Sequence, residues 1–396
     1  MNTGVENVRK SSPHREASTC DSDVGLYFHV PFCVKRCHFC AFYLVMQEGK
    51  RIERFLGALE IELRLYGGQP DLADRGVSTV YFGGGTPTAL SPIQLSSVLT
   101  RVARSFSLTH DCEVTVEATP ESLTAKYLDA LLEAGVTRLS MGIQTFDQEE
   151  RIRLGLSSTI EEAMVGIRLV KTAGFTNFNV DVMYGIPGQS LSSWGRTLRL
   201  ACEWEPTHLS CYALSVEEGT RFDSAFRRGE LVLMESDRER EFQLHATGQL
   251  EVAGFCQYEI SNWSKPGFQC RHNRRYWQGQ DVVGLGPSAQ SYVSGCRFGN
   301  VANLEHYCRR LEGGEWAVDE RESLSIVQQE RERVVFGLRL LVGVPMDWIT
   351  KNTYDHAWAA SFASLLEEGY LMQTPEHVAL TVKGRQFADT VGRQLL

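Results

Sequence analysis

"VGLYFHVPFCVKRCHFCAFY", residues 24–43, reads as an apolar strand that runs directly into three cysteines, Cys33, Cys37 and Cys40, at C-x3-C-x2-C spacing. Runs of the same kind follow at "VSTVYFGGG" (77–85), "CEVTVEAT" (112–119), "RLSMGIQ" (138–144), "NFNVDVMYG" (177–185) and "HLSCYALS" (208–215). Helical stretches separate them. In 50–67 the apolar residues Ile52, Phe55, Leu56, Leu59 and Leu63 recur at helical spacing. Further helices begin near Ser91 and Ser122, the second stopping at Ala134-Gly135. Others close at Ala173-Gly174, and one more precedes residue 208. Strict alternation predicts a parallel sheet with right-handed crossovers. Six units fall short of an eight-unit barrel, so the expected fold is α/β, an incomplete (β/α)6 barrel over 23–225. In such folds chemistry gathers at the C-terminal strand ends. The cysteine loop, "GGGTP" (83–87), Glu117, Gln144 and Asp181 all fall there.

The pattern changes after about residue 225. A charged helix (236–253) leads into "YEISNW" and "CRHNRRYWQGQDVVGLGPSAQSY", and 226–325 is expected to be an extension of the barrel. Residues 326–396 read helix, helix, short hairpin, helix, which predicts a small α+β, winged-helix-like module. Residues 1–22 are polar without an apolar stretch, and are expected to be a disordered tail.

Composition bounds the function. The chain has 396 residues, 43% hydrophobic and 22% charged, the balance of a globular enzyme-like protein. No apolar run approaches the roughly 18 residues of a membrane helix. A net charge of −9 argues against broad attachment to nucleic acid. Eleven cysteines, an odd number, in a chain without an export signal point to the reduced cytoplasm rather than to a disulfide framework. Cys112, Cys202 and Cys211 sit in apolar patterns and read as small buried hydrophobes.

Three cysteines on one loop admit several readings. With His29 or His38 they suit a structural zinc site, which takes four protein ligands. A free redox set is another reading. The third is a 4Fe–4S cluster, which usually takes four cysteines. With three, one iron keeps an open position that can chelate the amino and carboxylate groups of S-adenosylmethionine. An electron from the cluster then cleaves the sulfonium bond and releases a 5′-deoxyadenosyl radical.

The cysteine spacing together with "GGGTP" resembles the radical S-adenosylmethionine superfamily. The resemblance runs from Tyr27 to the C-terminal helices through "YFHVPFC", "GGGTPTALSP", "VTVEATPESL", "RLSMGIQTFD", "VDVMYGIPGQS", "HLSCYALSVEEGT" and "YEISNW". It is strongest to the branch of oxygen-independent coproporphyrinogen oxidases and HemW-like haem chaperones. It implies that Cys33, Cys37 and Cys40 hold the cluster and that Phe39, in the same loop, is one of the cofactor-binding residues. Gly84, Gly85 and Thr86 would form the strand end that lets backbone carbonyls approach the methionyl ammonium. Tyr27 would pack on the cofactor, and Glu117, Gln144 and Asp181 would bind its methionyl or ribose groups. In the oxidase pattern a further cysteine follows the third by two residues; here that position is Phe42. The chaperone pattern H-N-x-x-Y-W is present as "HNRRYW", His272 to Trp277. His272 would be an axial haem ligand, Tyr276 and Trp277 would wall the porphyrin, and Arg271, Arg274 and Arg275 would meet its propionates.

The chain also departs from the branch. Where the pattern reads L-G-R-x-H, this chain has Leu156 and Ser158; Gln290 replaces a histidine, and Ala41 an acidic residue. A missing arginine removes a charge-assisted contact worth roughly 1.5–3 kcal/mol. Three functions follow as expectations. The first is a haem chaperone passing haem to an acceptor apoprotein, with an electron donor such as flavodoxin or ferredoxin and a homodimer as partners. The second is an enzyme of the same branch, decarboxylating coproporphyrinogen or methylating with two S-adenosylmethionine molecules. The third is a zinc-binding module. No catalytic side chain is assigned.

Overall fold

The computed structural model describes residues 23–396; the expected N-terminal tail lies outside them. Six strands appear where the sequence places them: β1 Asp23–Val30, β2 Gly76–Gly84, β3 Ser107–Ala118, β4 Arg138–Gln144, β5 Phe178–Tyr184 and β6 His208–Ala213. All are parallel and adjacent in chain order. The crossovers carry α1 Gly49–Gly67, α2 Pro92–Ser105, α3 Ala125–Glu133, α4 Gln148–Leu154, α5 Ile160–Thr172 and α6 Leu191–Glu203. Capping boxes at Ser91, Thr159 and Ser190 fix the starts of α2, α5 and α6. The helix expected near Ser122 begins later, because residues 120–122 form a 3-10 turn and Thr124 supplies the cap.

Parallel strands buried on both faces sort their side chains by parity. Phe28 and Phe82 stack at 4.5 Å on the face that packs on the helices. Their neighbours Tyr27 and Tyr81, opposite each other in the register, stack at 6.2 Å on the inner face. That inner face is polar, so its groups need partners. Asn179 donates to Asp181 (2.7 Å) and to Ser140 (2.8 Å). His208 bonds Asn179 Oδ1 (2.7 Å) and the Tyr258 hydroxyl (2.8 Å).

The later part of the chain widens the sheet to twelve strands. Beyond β6 lie β7 Cys256–Glu259 and β8 Asn262–Ser264, with β8 antiparallel to both β6 and β7. At the other edge β9 Val282–Leu285 runs parallel beside β1, a seventh parallel strand outside the expected six. Then β10 Gln290–Val293, β11 Cys296–Asn300 and β12 Val318–Ser323 follow antiparallel. The two outermost strands are not bonded to each other, so the barrel is open. Cys211 is buried, whereas Cys112 and Cys202 are only partly so, both packing against the main core.

The C-terminal residues have a core of their own around Val334, Trp358, Phe362, Val378 and Leu395. It lies between the helices Ile326–Gly337, Met346–Thr350, His356–Glu367 and Ala388–Leu395 and a three-stranded sheet of Val344–Pro345, His377–Leu380 and Leu371–Gln373. Among the described residues no helix is long and apolar enough to cross a membrane.

Candidate functional site

The cysteine loop is closed at its base and docked along its length. Phe32–Cys33 pairs with Val45–Met46, and Gln47 N bonds Cys33 O at 3.0 Å. At the tip, His38 N donates to Leu154 O (2.9 Å), at the C-terminal end of α4. The His38 ring bonds Arg153 O through Nδ1 (2.8 Å) and Arg221 through Nε2 (3.0 Å). His29 is equally committed, with Nε2 on Tyr43 O (2.8 Å) and Nδ1 on the Tyr27 hydroxyl (3.3 Å). Neither histidine has a free nitrogen for a fourth metal bond. Among the described residues no three His, Cys, Asp or Glu side chains are arranged around a single-ion position.

The three thiols share one patch. Cys33 is buried, with Sγ 3.3 Å from Thr86 Oγ1; Cys37 and Cys40 are half-exposed. Burial, then the charges of Cys40 and Cys33, push the Cys37 thiol up to about 12. Burial also raises Cys33 and Cys40. Such thiols ionise only against a strong local cation, which a bound metal provides.

The glycine-rich strand end is bonded to this loop. Gly85 N donates to Val30 O (2.8 Å) and Thr86 N to Phe32 O (2.7 Å). A Cβ on Gly85 would sit 2.8 Å from Phe32 O, 2.9 Å from Val30 O and 3.0 Å from Phe32 N, all backbone atoms. Gly84 adopts φ +103, beside the His29 ring. Behind this strand end, Glu117 accepts from the Tyr81 hydroxyl at 2.8 Å. Burial pushes its carboxyl up to about 7, opposed by that bond and reinforced by the Asp181 charge. Burial likewise raises Asp181. Gln144 ends β4 at a register slip with φ +66. Phe39 packs with Leu154, Met183, Ile186 and Phe222, and Leu156 joins the same apolar cluster. So the side chain standing where the resemblance expects an arginine is a packing residue here.

The "HNRRYW" stretch lies in a helix, α7 Arg271–Trp277. Glu113 of β3 accepts the backbone N–H groups of Arg271 (3.2 Å) and His272 (3.1 Å), capping the helix from across the sheet. His272 points inward and is 1% exposed. Its ring lies 5.1 Å from Tyr81 and 6.4 Å from Tyr27, both stacked. Nδ1 bonds Thr79 Oγ1 (2.9 Å) and Nε2 the Tyr276 hydroxyl (3.2 Å). Burial, helped by the charges of Arg275 and Arg138, lowers its pKa to about 3, so the ring is neutral at pH 7. Arg275 does not face a ligand: it is buried and bonds Ser78 (2.7 Å), Asp23 (3.1 Å) and Asp281 O (3.2 Å). Arg271 pairs with Asp111, and Arg274 bonds Gln269. Tyr276 is 38% exposed, and Trp277 lies under the Arg339 guanidinium at 4.4 Å, where the barrel meets the C-terminal core.

Sequence reading missed Tyr81, Glu113, Thr79 and Arg151. Strand parity places Tyr81 and Thr79 on the inner face with Tyr27; nothing local marks Glu113 or Arg151.

The fold and this site define a radical S-adenosylmethionine protein. Residues 27–201 match the Radical SAM superfamily model. The whole fold superposes on coproporphyrinogen III oxidase HemN from Escherichia coli, with a TM-score of 0.82 and 23% identity over 94% of this chain and 90% of that one. The chain is 36% identical to haem chaperone HemW of Mycobacterium tuberculosis over 375 residues, 94% of each protein. It is 35% identical to that of Escherichia coli K12 (93% of this chain, 97% of the relative) and 32% identical to that of Bacillus subtilis 168 (92% and 97%). The chain belongs to the HemW family of radical SAM proteins.

That family implies a 4Fe–4S cluster and S-adenosylmethionine. The donor set fits: three neighbouring thiols, His29 and His38 both committed to protein partners, and a strand end that a Cβ would block.

Proposed function

We propose that this chain is a cytoplasmic haem chaperone. Cys33, Cys37 and Cys40 would hold the 4Fe–4S cluster beside the S-adenosylmethionine site. When bound, that cluster would supply electrons for reductive chemistry on the sulfonium. Tyr27, Gly84, Gly85, Thr86, Glu117, Gln144 and Asp181 bind the cofactor, and Phe39 packs the loop in place. Haem is the cargo, taken up at α7 and passed to an acceptor apoprotein. An electron donor such as flavodoxin or ferredoxin and a second copy of the chain complete the partners. We assign the cofactor site to 23–225, the haem-binding extension to 226–325 and the C-terminal module to 326–396.

The observation that carries the reading is "HNRRYW" in a chain similar to HemW along more than nine-tenths of its length. In the conformation described, both His272 nitrogens are engaged. Haem ligation therefore requires the Tyr276 hydroxyl to leave Nε2, a rotation open to a side chain at the surface. Haem ligation by a neutral imidazole needs no proton release.

The second reading, a coproporphyrinogen oxidase, rests on the shared fold with HemN. Against it stands Phe42, 62% exposed, where the oxidase pattern carries a cysteine. Transfer separates the two. Haem-loaded protein mixed with an apo b-type haem protein is expected to lose its Soret band as the acceptor gains one, faster than the acceptor takes up haem from a non-specific carrier. Coproporphyrinogen with a reductant is expected to yield no decarboxylated product. Retained haem together with decarboxylation would establish the oxidase reading instead.

A further inference from the structure

Gln144 is the centre of a three-residue turn. Its φ is +66, and Thr145 N bonds Ile143 O across it at 2.8 Å. Positive φ at a non-glycine residue is strained and persists only where the surroundings enforce it. Here the turn interrupts the β4–β5 register between Gly142 and Gln144, on the inner face of the barrel.

The enforcing group is Arg151 of α4. Its Nη1 donates to Ile143 O (2.9 Å) and to Thr145 O (2.8 Å), the carbonyls on either side of Gln144. Nε and Nη2 donate to Ser158 O (3.0 and 2.8 Å), and Nη2 also to Ser158 Oγ (2.6 Å). The side chain is 2% exposed, and every partner among these bonds is a neutral oxygen. Burying a guanidinium is costly without good hydrogen bonds. An apolar residue would fill the same volume without that cost, so what Arg151 adds is direction: one planar fork that joins two segments. The second segment, 154–158, is where the cysteine loop rests. His38 N bonds Leu154 O at 2.9 Å, and Lys35 Nζ bonds Leu156 O at 3.3 Å.

We propose that Arg151 is a positioning residue that holds the Gln144 turn and fixes it in register with the cysteine loop, so that the Gln144 amide meets S-adenosylmethionine bound at the cluster. This rests on the reading that Gln144 contacts that cofactor. The glutamine acts on the ligand, and Arg151 acts through the glutamine.

The test uses anaerobically reconstituted full-length protein: wild type, Arg151→Gln, Arg151→Lys, Gln144→Ala and the double variant Arg151→Gln/Gln144→Ala. Iron content, the dissociation constant for S-adenosylmethionine, and the change that S-adenosylmethionine causes in the electron paramagnetic resonance spectrum of the reduced cluster are read in each. Arg151→Gln is expected to keep wild-type iron content while binding S-adenosylmethionine about tenfold or more weakly, with the spectral change diminished. Arg151→Lys is expected not to restore binding, because one ammonium cannot span Ile143, Thr145 and Ser158 in a plane. It also carries the test if Arg151→Gln does not accumulate as folded protein. The double variant is expected to bind no more weakly than the weaker single variant, the signature of residues acting as a unit. Unchanged affinity in the Arg151 variants would overturn the proposal, as would iron loss in step with affinity loss, or additive effects in the double variant. Unchanged affinity in Gln144→Ala would overturn the reading of Gln144 itself, and the proposal with it.

Discussion

Cys40→Ser is expected to abolish cluster assembly. Among the described residues the site offers three thiols, Cys33, Cys37 and Cys40. His29 and His38, the nearest imidazoles in sequence, each use both ring nitrogens on protein partners. The remaining pair would be Cys33 and Cys37, and burial holds both thiols protonated until iron arrives. Two ligands leave two cluster corners without protein bonds, where a radical SAM site leaves one. Iron content after anaerobic reconstitution is expected to fall from about four per chain to a small residual fraction, with loss of the broad absorbance near ~400 nm. The apoprotein fold is expected to survive, because Cys40 is half-exposed and a serine there costs roughly 0.5 kcal/mol or less. Wild-type iron in this variant would mean that another side chain ligates the cluster.

Gly85→Ala is expected to damage both the fold and the site. The added Cβ meets three backbone atoms within 3.0 Å, and backbone cannot rotate away as a side-chain tip can. Relief requires moving the strand end. That breaks the bonds from Gly85 N to Val30 O and from Thr86 N to Phe32 O, each worth about 1 kcal/mol. Overpacking adds roughly 1–3 kcal/mol. The sum, about 3–5 kcal/mol, should lower the melting temperature of the apoprotein by several degrees. Thr86 would also leave Cys33, so iron incorporation should fall in the same variant. Gly57→Ala is the matched control. Gly57 lies within α1, and nothing stands within 4 Å of its added Cβ. That substitution should stabilise by about 0.5–1 kcal/mol.

The difference between these two glycines explains how much the sequence discloses. The six strands and the cysteine loop were legible because their signals are local: apolar runs, helical spacing, and three cysteines within eight residues. The position of the glycine triplet at a strand end was legible for the same reason. That Gly85 must be glycine depends on Val30 and Phe32, some fifty residues away, so it appears only once the two segments are zipped together. The strand β9 was hidden because three apolar residues and a glycine inside "GQDVVGLGPS" carry no periodicity of their own; pairing with β1, across more than 250 residues, makes them a strand. "RHNRRYW" (271–277) carries three arginines and nothing local that predicts burial. Glu113 caps it, Asp23 and Ser78 take Arg275, and Thr79 takes His272, all from strands distant in sequence. Arg151 looks like one more charge on an amphipathic helix, and only the carbonyls around Gln144 reveal its use.

The central claim is that α7 is the haem site. The direct test is an anaerobic optical titration of haemin into cluster-loaded protein, comparing wild type, His272→Ala and Tyr276→Phe. Wild type should give a saturable Soret shift, and His272→Ala should lose it. Tyr276→Phe should bind at least as tightly as wild type, because removing the hydroxyl frees Nε2. Equal saturable binding by wild type and His272→Ala, or no saturable binding by any of the three, would contradict the account.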